Sequence, residues 1–329
     1  MSNQDLLELV EESEIATLEI GEALAAGAAA VGQDGSHSRK KQARRYAGNK
    51  LPGASLISRL ALVLEPLFSA CYDLQMKCGG GVRVVRQRLQ LAHWPRHAPP
   101  LRAVFISDLH YGPTTGRLAP RQAWRLARAA KPDVLLLGGD FLYATENGLP
   151  SLVAELQRWK LELPSAGVYT CLGNHDYVAN TEALTTCLEA GAVRVLCNQA
   201  VTLPPPWDNI WLAGTDDMKF GDPRPDLALA DVPPGACTIM LAHEPDICQF
   251  DILHRCGLTL CGHTHGGQIC LPNGDPIYVP SRWSRQYSAG LYRRSGKWFF
   301  VSRGVGTVGV PLRLWAPPEI VVFDLGGRS

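Results

Sequence analysis

Five short polar clusters punctuate this chain, and each stands at the downstream end of an apolar run. They are Asp108-Leu109-His110 after AVFIS, Gly139-Asp140 after VLLLG, Gly173-Asn174-His175-Asp176 after VYTCL, Ala242-His243 after TIMLA, and Gly262-His263-Thr264-His265 after LTLC. Runs such as VLLL and TIML do not alternate apolar with polar, so they predict strands buried on both faces. Strand, polar cluster and helix repeating in this way leave few options besides a layered α/β fold. In such folds, side chains beyond the carboxyl ends of strands gather at one site.

Strands are predicted near residues 102–107, 133–138, 167–172, 209–213, 236–242, 258–261, 298–302 and 319–324. Helices are predicted near 118–130, 149–161, 181–190 and 246–255, with Asn180 or Thr181 as a cap. The chain has 329 residues, enough for one domain of ~200–250 residues plus an extension. Three segments are expected: 1–50, 51–100 and a catalytic domain over 101–329.

The formal charge is +1, so no global basicity points to nucleic acid as a partner. The 10 cysteines form no Cys-x-x-Cys pair, and several lie in apolar runs, which predicts buried reduced thiols and a reducing compartment. The N-terminus opens with acidic residues, and no run reaches the ~18–20 apolar residues of a bilayer span. The expected location is cytoplasmic.

Residues 1–32 carry Glu8, Glu11, Glu12, Glu14, Glu19 and Glu22 and predict an acidic helix. A basic linker follows, with Arg39, Lys40, Lys41, Arg44, Arg45 and Lys50. Then Leu56, Leu60, Val63, Leu64, Leu67, Cys71 and Leu74 recur at helical spacing, with Pro66 expected to kink or divide the helix. Two readings of this extension stay open. It lies peripherally on an anionic membrane surface, or it packs on the catalytic domain. Val82, Val84, Leu89 and Leu91 then predict an edge strand.

The clusters offer oxygen and nitrogen ligands without thiolate, a set that suits Mn²⁺, Fe or Zn²⁺. Asp108 with His110, and His263 with His265, are expected to share a face through i, i+2 spacing on extended backbone. Asp140 is placed to bridge two cations, Asn174 offers a carbonyl oxygen, and His243 an imidazole. Gly138, Gly139, Gly173 and Gly262 are expected to let the backbone turn sharply. His175 neighbours a ligand without being needed as one, which suits proton transfer to a leaving group. Asp176 is expected to orient His175 by accepting its other N–H. Two ions ~3.5–4 Å apart would acidify a shared water and clamp a phosphoryl group.

Together, and in this order, the clusters resemble those of the calcineurin-like binuclear metallophosphoesterases over residues 101–325. The resemblance implies a four-layer α/β/β/α sandwich, here with an N-terminal helical extension. It implies that Asp108, His110 and His265 serve one ion, that Asn174, His243 and His263 serve the other, and that Asp140 bridges them. His175 takes the catalytic histidine position. GHTHGGQICLP and VSRGVGTVGVPLRLWAPPEIVVFDL resemble a bacterial phosphodiesterase subgroup, itself similar to UDP-2,3-diacylglucosamine pyrophosphatases of lipid A synthesis.

The expected activity is therefore metal-dependent hydrolysis of a phosphodiester or pyrophosphate bond, with a nucleotide-linked lipid as a candidate substrate. A phosphomonoesterase, or a noncatalytic scaffold on the same fold, are the alternatives. Arg282, Trp283, Arg285, Tyr287, Tyr292, Arg293 and Arg294 suit either substrate contact or a hairpin docked on the domain. Arg303 and Arg313 suit phosphate contact or internal salt bridges, and Asp216 and Asp217 read as turn residues.

Overall fold

The computed structural model describes residues 64–327, apart from 80, 113, 144, 161 and 282–284. The expected acidic helix, basic linker and first part of the amphipathic segment lie outside the described residues, as do Arg282 and Trp283. In chain order the elements are α1 (Glu65–Cys78), β1 (Arg83–Gln90), β2 (Leu101–Ile106), α2 (Leu118–Ala129), β3 (Val134–Leu137), α3 (Leu149–Lys160) and β4 (Val168–Thr170). Then come α4 (Asn174–Ala179), α5 (Thr181–Ala190), β5 (Val193–Val195), β6 (Gln199–Thr202), β7 (Ile210–Gly214) and α6 (Pro225–Ala228). The chain continues with β8 (Cys237–Leu241), β9 (Leu258–Cys261), β10 (Gly290–Arg294), β11 (Lys297–Val301) and β12 (Glu319–Gly326).

The strands form two six-stranded sheets, ordered β1-β12-β2-β3-β4-β5 and β10-β11-β9-β8-β7-β6. The apolar runs explain the layering. Along β2, Val104 and Ile106 face the helices while Ala103 and Phe105 face the other sheet, and β3 repeats this with Leu135 and Leu137 against Val134 and Leu136. Strands apolar on both faces need a cover on each side, and here helices cover one face and the second sheet the other. On the far side of that second sheet, Met240, Cys261, Phe299 and Val301 pack under α6 and two 3₁₀ turns. The result is four layers, helix on sheet on sheet on helical turns.

The parallel neighbours β2, β3 and β4 end together, as do β8 and β9. The two sheets thus bring five strand ends to one edge. The short strands β5, β6 and β10 carry no apolar run and were not legible as strands. The helix expected over 246–255 is instead two 3₁₀ turns, Pro245–Gln249 and Asp251–Arg255. Phe250 between them is extended (φ -84, ψ 122), which breaks the helical path while its ring packs on the cluster holding Ile247 and Leu253.

The extension also differs from expectation. Pro66 stands in the first turn of α1, and the part of the expected helix before Leu64 lies outside the described residues. The face marked by Leu67 and Leu74 is exposed, and the buried residues are Tyr72 and Met76. Polar contacts decide the orientation. Tyr72 Oη donates to Val305 O at 2.8 Å, Gln75 pairs with the backbone of Arg313, and Asp73 Oδ1 accepts from Arg117 N (3.1 Å) and Leu118 N (3.0 Å) at the start of α2.

Asp73 thus acts as an N-cap supplied from another helix. Asp73→Ala should cost about 1 kcal/mol, within the ~0.5–2 kcal/mol range of capping residues. Urea unfolding checks this. An unchanged midpoint would mean that α1 is not docked on α2 in solution.

Candidate functional site

Asp108 and His110 leave β2, Asp140 leaves β3, Asn174 and His175 open α4 after β4, His243 follows β8, and His263 and His265 follow β9. The turns that present them share one unusual feature. Asp108 (φ 55), His110 (φ 44), Asp140 (φ 54), His263 (φ 68) and His265 (φ 53) all occupy the left-handed region. That conformation costs a residue bearing Cβ about 1–2 kcal/mol. Backbone bonds hold the turns there: Asp108 N to Gly139 O (3.0 Å), His110 N to Asp140 O (3.0 Å) and Gly262 N to His243 O (2.9 Å).

The expected extended i, i+2 geometry is therefore replaced by tight left-handed turns, which still deliver both members of each pair to one place. Of the four flanking glycines expected to turn the chain, only Gly139 has positive φ (81). The others supply room. A Cβ on Gly138 would lie 2.6 Å from the Phe105 ring, and one on Gly262 would run into Ser107 Oγ.

The side chains converge closely. His110 Nε2 lies 3.0 Å from His265 Nε2 and 3.4 Å from Asp140 Oδ2. His243 Nε2 lies 3.1 Å from Asp140 Oδ2, and Asp108 Oδ1 is 3.6 Å from His265 Nε2 and 4.0 Å from His243 Nε2. Each carboxylate is aimed by a backbone N–H. His175 N donates to Asp140 Oδ1 at 2.8 Å, and His263 N donates to Asp108 Oδ1 at 2.9 Å. His243 Nδ1 donates to Gly138 O at 2.7 Å, which turns its Nε2 toward Asp140.

Burial sets the charges. It pulls the His110 imidazole down to about 3 and holds His263 and His265 well below the ordinary value, so these three rings are uncharged at neutral pH. Burial pushes the Asp108 carboxyl up to about 6, against the pull of His243 and with a further push from Asp140. Burial opposes charge on Asp140 too, but the imidazoles of His243, His175 and His110 outweigh it and hold that carboxyl well below its ordinary range. His243 is raised in turn, because the carboxylates of Asp140 and Asp108 outweigh its burial.

The donor set fits divalent cations. Three groups have ligand atoms within 4.8 Å of one another: Asp108, His110 and His265; His110, Asp140 and His175; and Asp140, His243 and His263. Asn174 Oδ1 is buried without a hydrogen-bond partner. An orphaned buried acceptor costs about 1–3 kcal/mol, which a bound cation would offset. The ligands are nitrogen and oxygen only, which suits catalytic rather than thiolate-rich structural sites.

The profile of the calcineurin-like phosphoesterases matches residues 101–267. The chain belongs to that family. Escherichia coli phosphodiesterase YaeI is 32% identical over 250 residues, covering 75% of this chain and 89% of its own. The uncharacterized metallophosphoesterase YkuE of Bacillus subtilis is 34% identical over 199 residues, covering 60% and 68%. Calcineurin-like phosphoesterases depend on two metal ions, and the grouped aspartates and histidines are the residues here that could hold them.

Some expected roles move. Asp176 does not touch the His175 ring. Its two oxygens accept from the N–H groups of Asp140 (2.9 Å), Phe141 (2.8 Å), Leu142 (3.1 Å) and Gly173 (3.0 Å). It clamps the Asp140 turn to the start of α4, because four unpaired backbone donors there need an acceptor. The His175 Nδ1 faces Tyr143 O instead. Arg313 is 4% exposed and faces inward: Nη2 lies 2.9 Å from His265 Nδ1, and Nη1 donates to His265 O at 3.2 Å. It braces a site residue.

Arg303 pairs with buried Glu319 at 2.9 Å, Arg293 stacks on Trp298, and Tyr287, Tyr292 and Phe299 pack together. The docked-hairpin reading of that segment holds for these residues. Two residues escaped the sequence reading. Ser107 Oγ donates to Asp108 Oδ2, and Lys219 Nζ lies 2.9 Å from His263 Nε2. Nothing in the spacing around Lys219 marks it.

An ion held by Asp108 competes with a proton below about 6, and an ion held by His243 has to displace the proton that the neighbouring carboxylates keep there. Mn²⁺ affinity should therefore fall as pH drops through about 6, where Asp108 regains its proton. Calorimetry in buffers of different ionisation enthalpy should register proton release at neutral pH. Affinity independent of pH over this range would contradict the assignment.

Proposed function

We propose that Asp108, His110 and His265 hold one divalent ion, that Asn174, His243 and His263 hold a second, and that Asp140 is shared between them. The centre would hydrolyse a phosphodiester or pyrophosphate bond in a lipid-bearing substrate. The observation that carries the two-ion reading is Asp140 Oδ2, which lies 3.4 Å from His110 Nε2 on one side and 3.1 Å from His243 Nε2 on the other.

Bound divalent ions supply Lewis acidity and a water of lowered pKa. The chain's own residues do the rest. The backbone N–H groups of His263 and His175 donate to the carboxylates of Asp108 and Asp140, so neither has to reorganise during the reaction. The Tyr143 carbonyl accepts from His175 Nδ1, which leaves Nε2 of that half-buried ring to pass a proton to the leaving oxygen.

The lipid-bearing substrate is supported by an apolar apron beside the GHTHGG turn. Leu271 (49%), Ile277 (65%), Tyr278 (66%), Val310 (46%) and Trp315 (57%) are exposed there. Gln268 ties this apron to the site by donating to Val308 O (3.0 Å) and Val310 O (3.1 Å), three residues beyond His265. Exposed apolar side chains gathered beside a site suit contact with an apolar ligand or a membrane. Exposed Leu67 and Leu74 on α1 add to the case for peripheral contact with an anionic membrane. No helix among the described residues is long and apolar enough to cross a membrane.

A panel of UDP-2,3-diacylglucosamine, bis-p-nitrophenyl phosphate, p-nitrophenyl phosphate and cyclic nucleotides tests the substrate class. Turnover of p-nitrophenyl phosphate alone would favour a phosphomonoesterase. Asp140→Ala should abolish turnover and lower metal content. His175→Ala should lower kcat by ~10²–10⁴-fold with metal retained, as for loss of a general acid. Equal metal loss in both variants would contradict these roles.

A further inference from the structure

Lys219 lies on the loop after β7, where buried carboxylates fix the backbone. Asp217 Oδ1 accepts from Lys219 N (2.9 Å) and Phe220 N (2.6 Å), and Glu244 Oε2 accepts from Met218 N (3.1 Å). Asp217 and Glu244 are 0% and 1% exposed, whereas Lys219 itself is exposed. Asn198 and Asp216 tie the same loop, through Asp216 N to Asn198 Oδ1 and Asp222 N to Asp216 Oδ2, each 3.0 Å. A rigid base thus carries a flexible, charged arm whose Nζ reaches His263 Nε2 at 2.9 Å.

That contact cannot survive a cation on His263. An ammonium offers only donors, so the ring nitrogen facing it has to be the acceptor. If His263 ligates through Nε2, the lone pair used by Lys219 is taken. If it ligates through Nδ1, the remaining ring proton sits on Nε2, and two donors face each other. Either way the ammonium is released at the rim of the centre with no acceptor on His263. An ammonium pairs with phosphate as a compact point charge.

We propose that Lys219 is a phosphate-binding residue of the metal-loaded enzyme, its ammonium pairing with a phosphoryl oxygen of the substrate beside the centre. The inference rests on the phosphoesterase reading above. It adds a ligand contact from a loop outside the five motif clusters. Lys219 and a cation compete for the same electron pair of His263, so the ammonium does not support metal binding.

Inorganic phosphate is the probe, titrated calorimetrically into Mn²⁺-loaded and metal-free protein, with metal content measured on the same samples. In the loaded state Lys219→Gln should bind phosphate roughly 10–100-fold more weakly, the loss of one charge-assisted hydrogen bond. Lys219→Arg should recover most of that loss. In the metal-free state Lys219→Gln should change phosphate binding little. Metal content in Lys219→Gln should equal or exceed that of the wild type.

Unchanged phosphate affinity in loaded Lys219→Gln would overturn the proposal. So would loss of metal in that variant, since Lys219 would then support His263 rather than compete for it. Wild-type protein that neither holds Mn²⁺ nor binds phosphate would sink the phosphoesterase reading itself, a result separable from indifference of the variant alone.

Discussion

Two carboxylates buried within a few ångströms of each other and of four imidazoles are the constraint around which this structure is arranged. Asp108 is 0% exposed and Asp140 1%, and among the described residues neither pairs with a lysine or arginine. Charges taken out of water at such density are costly unless paired. Histidines offer only partial relief, because burial keeps three of them neutral. Divalent cations relieve it, which ties the electrostatics of the pocket to the chemistry of the family.

Holding that pocket together takes the rest of the fold. Five residues in left-handed backbone, each costing about 1–2 kcal/mol, do not persist on local preference. The two sheets and their helices supply rigid strand ends, with side chains such as Phe105, Leu135 and Phe323 wholly buried. Each such residue contributes about 1.5–3 kcal/mol, so a few offset the strain of the turns. Asp176 and Arg313 then lock the geometry from outside the pocket, one through four backbone donors and the other through His265.

The site's membership was legible because its residues sit at fixed offsets from apolar runs. A run such as VLLL, bounded by turn signals, reads as a strand covered on both faces, and a polar residue at its end then projects from a sheet edge. Supporting residues left no such trace. Asp176 sits next to His175 in sequence and invites a partnership, yet unpaired N–H groups across the turn claim both of its oxygens. Leu67 and Leu74 have helical spacing, yet α1 buries Tyr72 and Met76 instead, with Tyr72, Asp73 and Gln75 hydrogen-bonded to distant parts of the domain.

Sequence alone determined the order of the clusters along the chain, the α/β class and the set of residues that gather at the strand ends, because hydrophobic periodicity and motif spacing are local properties. Only the tertiary structure decided which oxygen or nitrogen faces which neighbour, that tight left-handed turns rather than extended segments deliver them, and that Lys219, from an unremarkable loop, reaches the centre. Those outcomes depend on contacts between segments far apart in the chain, where competition for the same donors and acceptors is settled by packing.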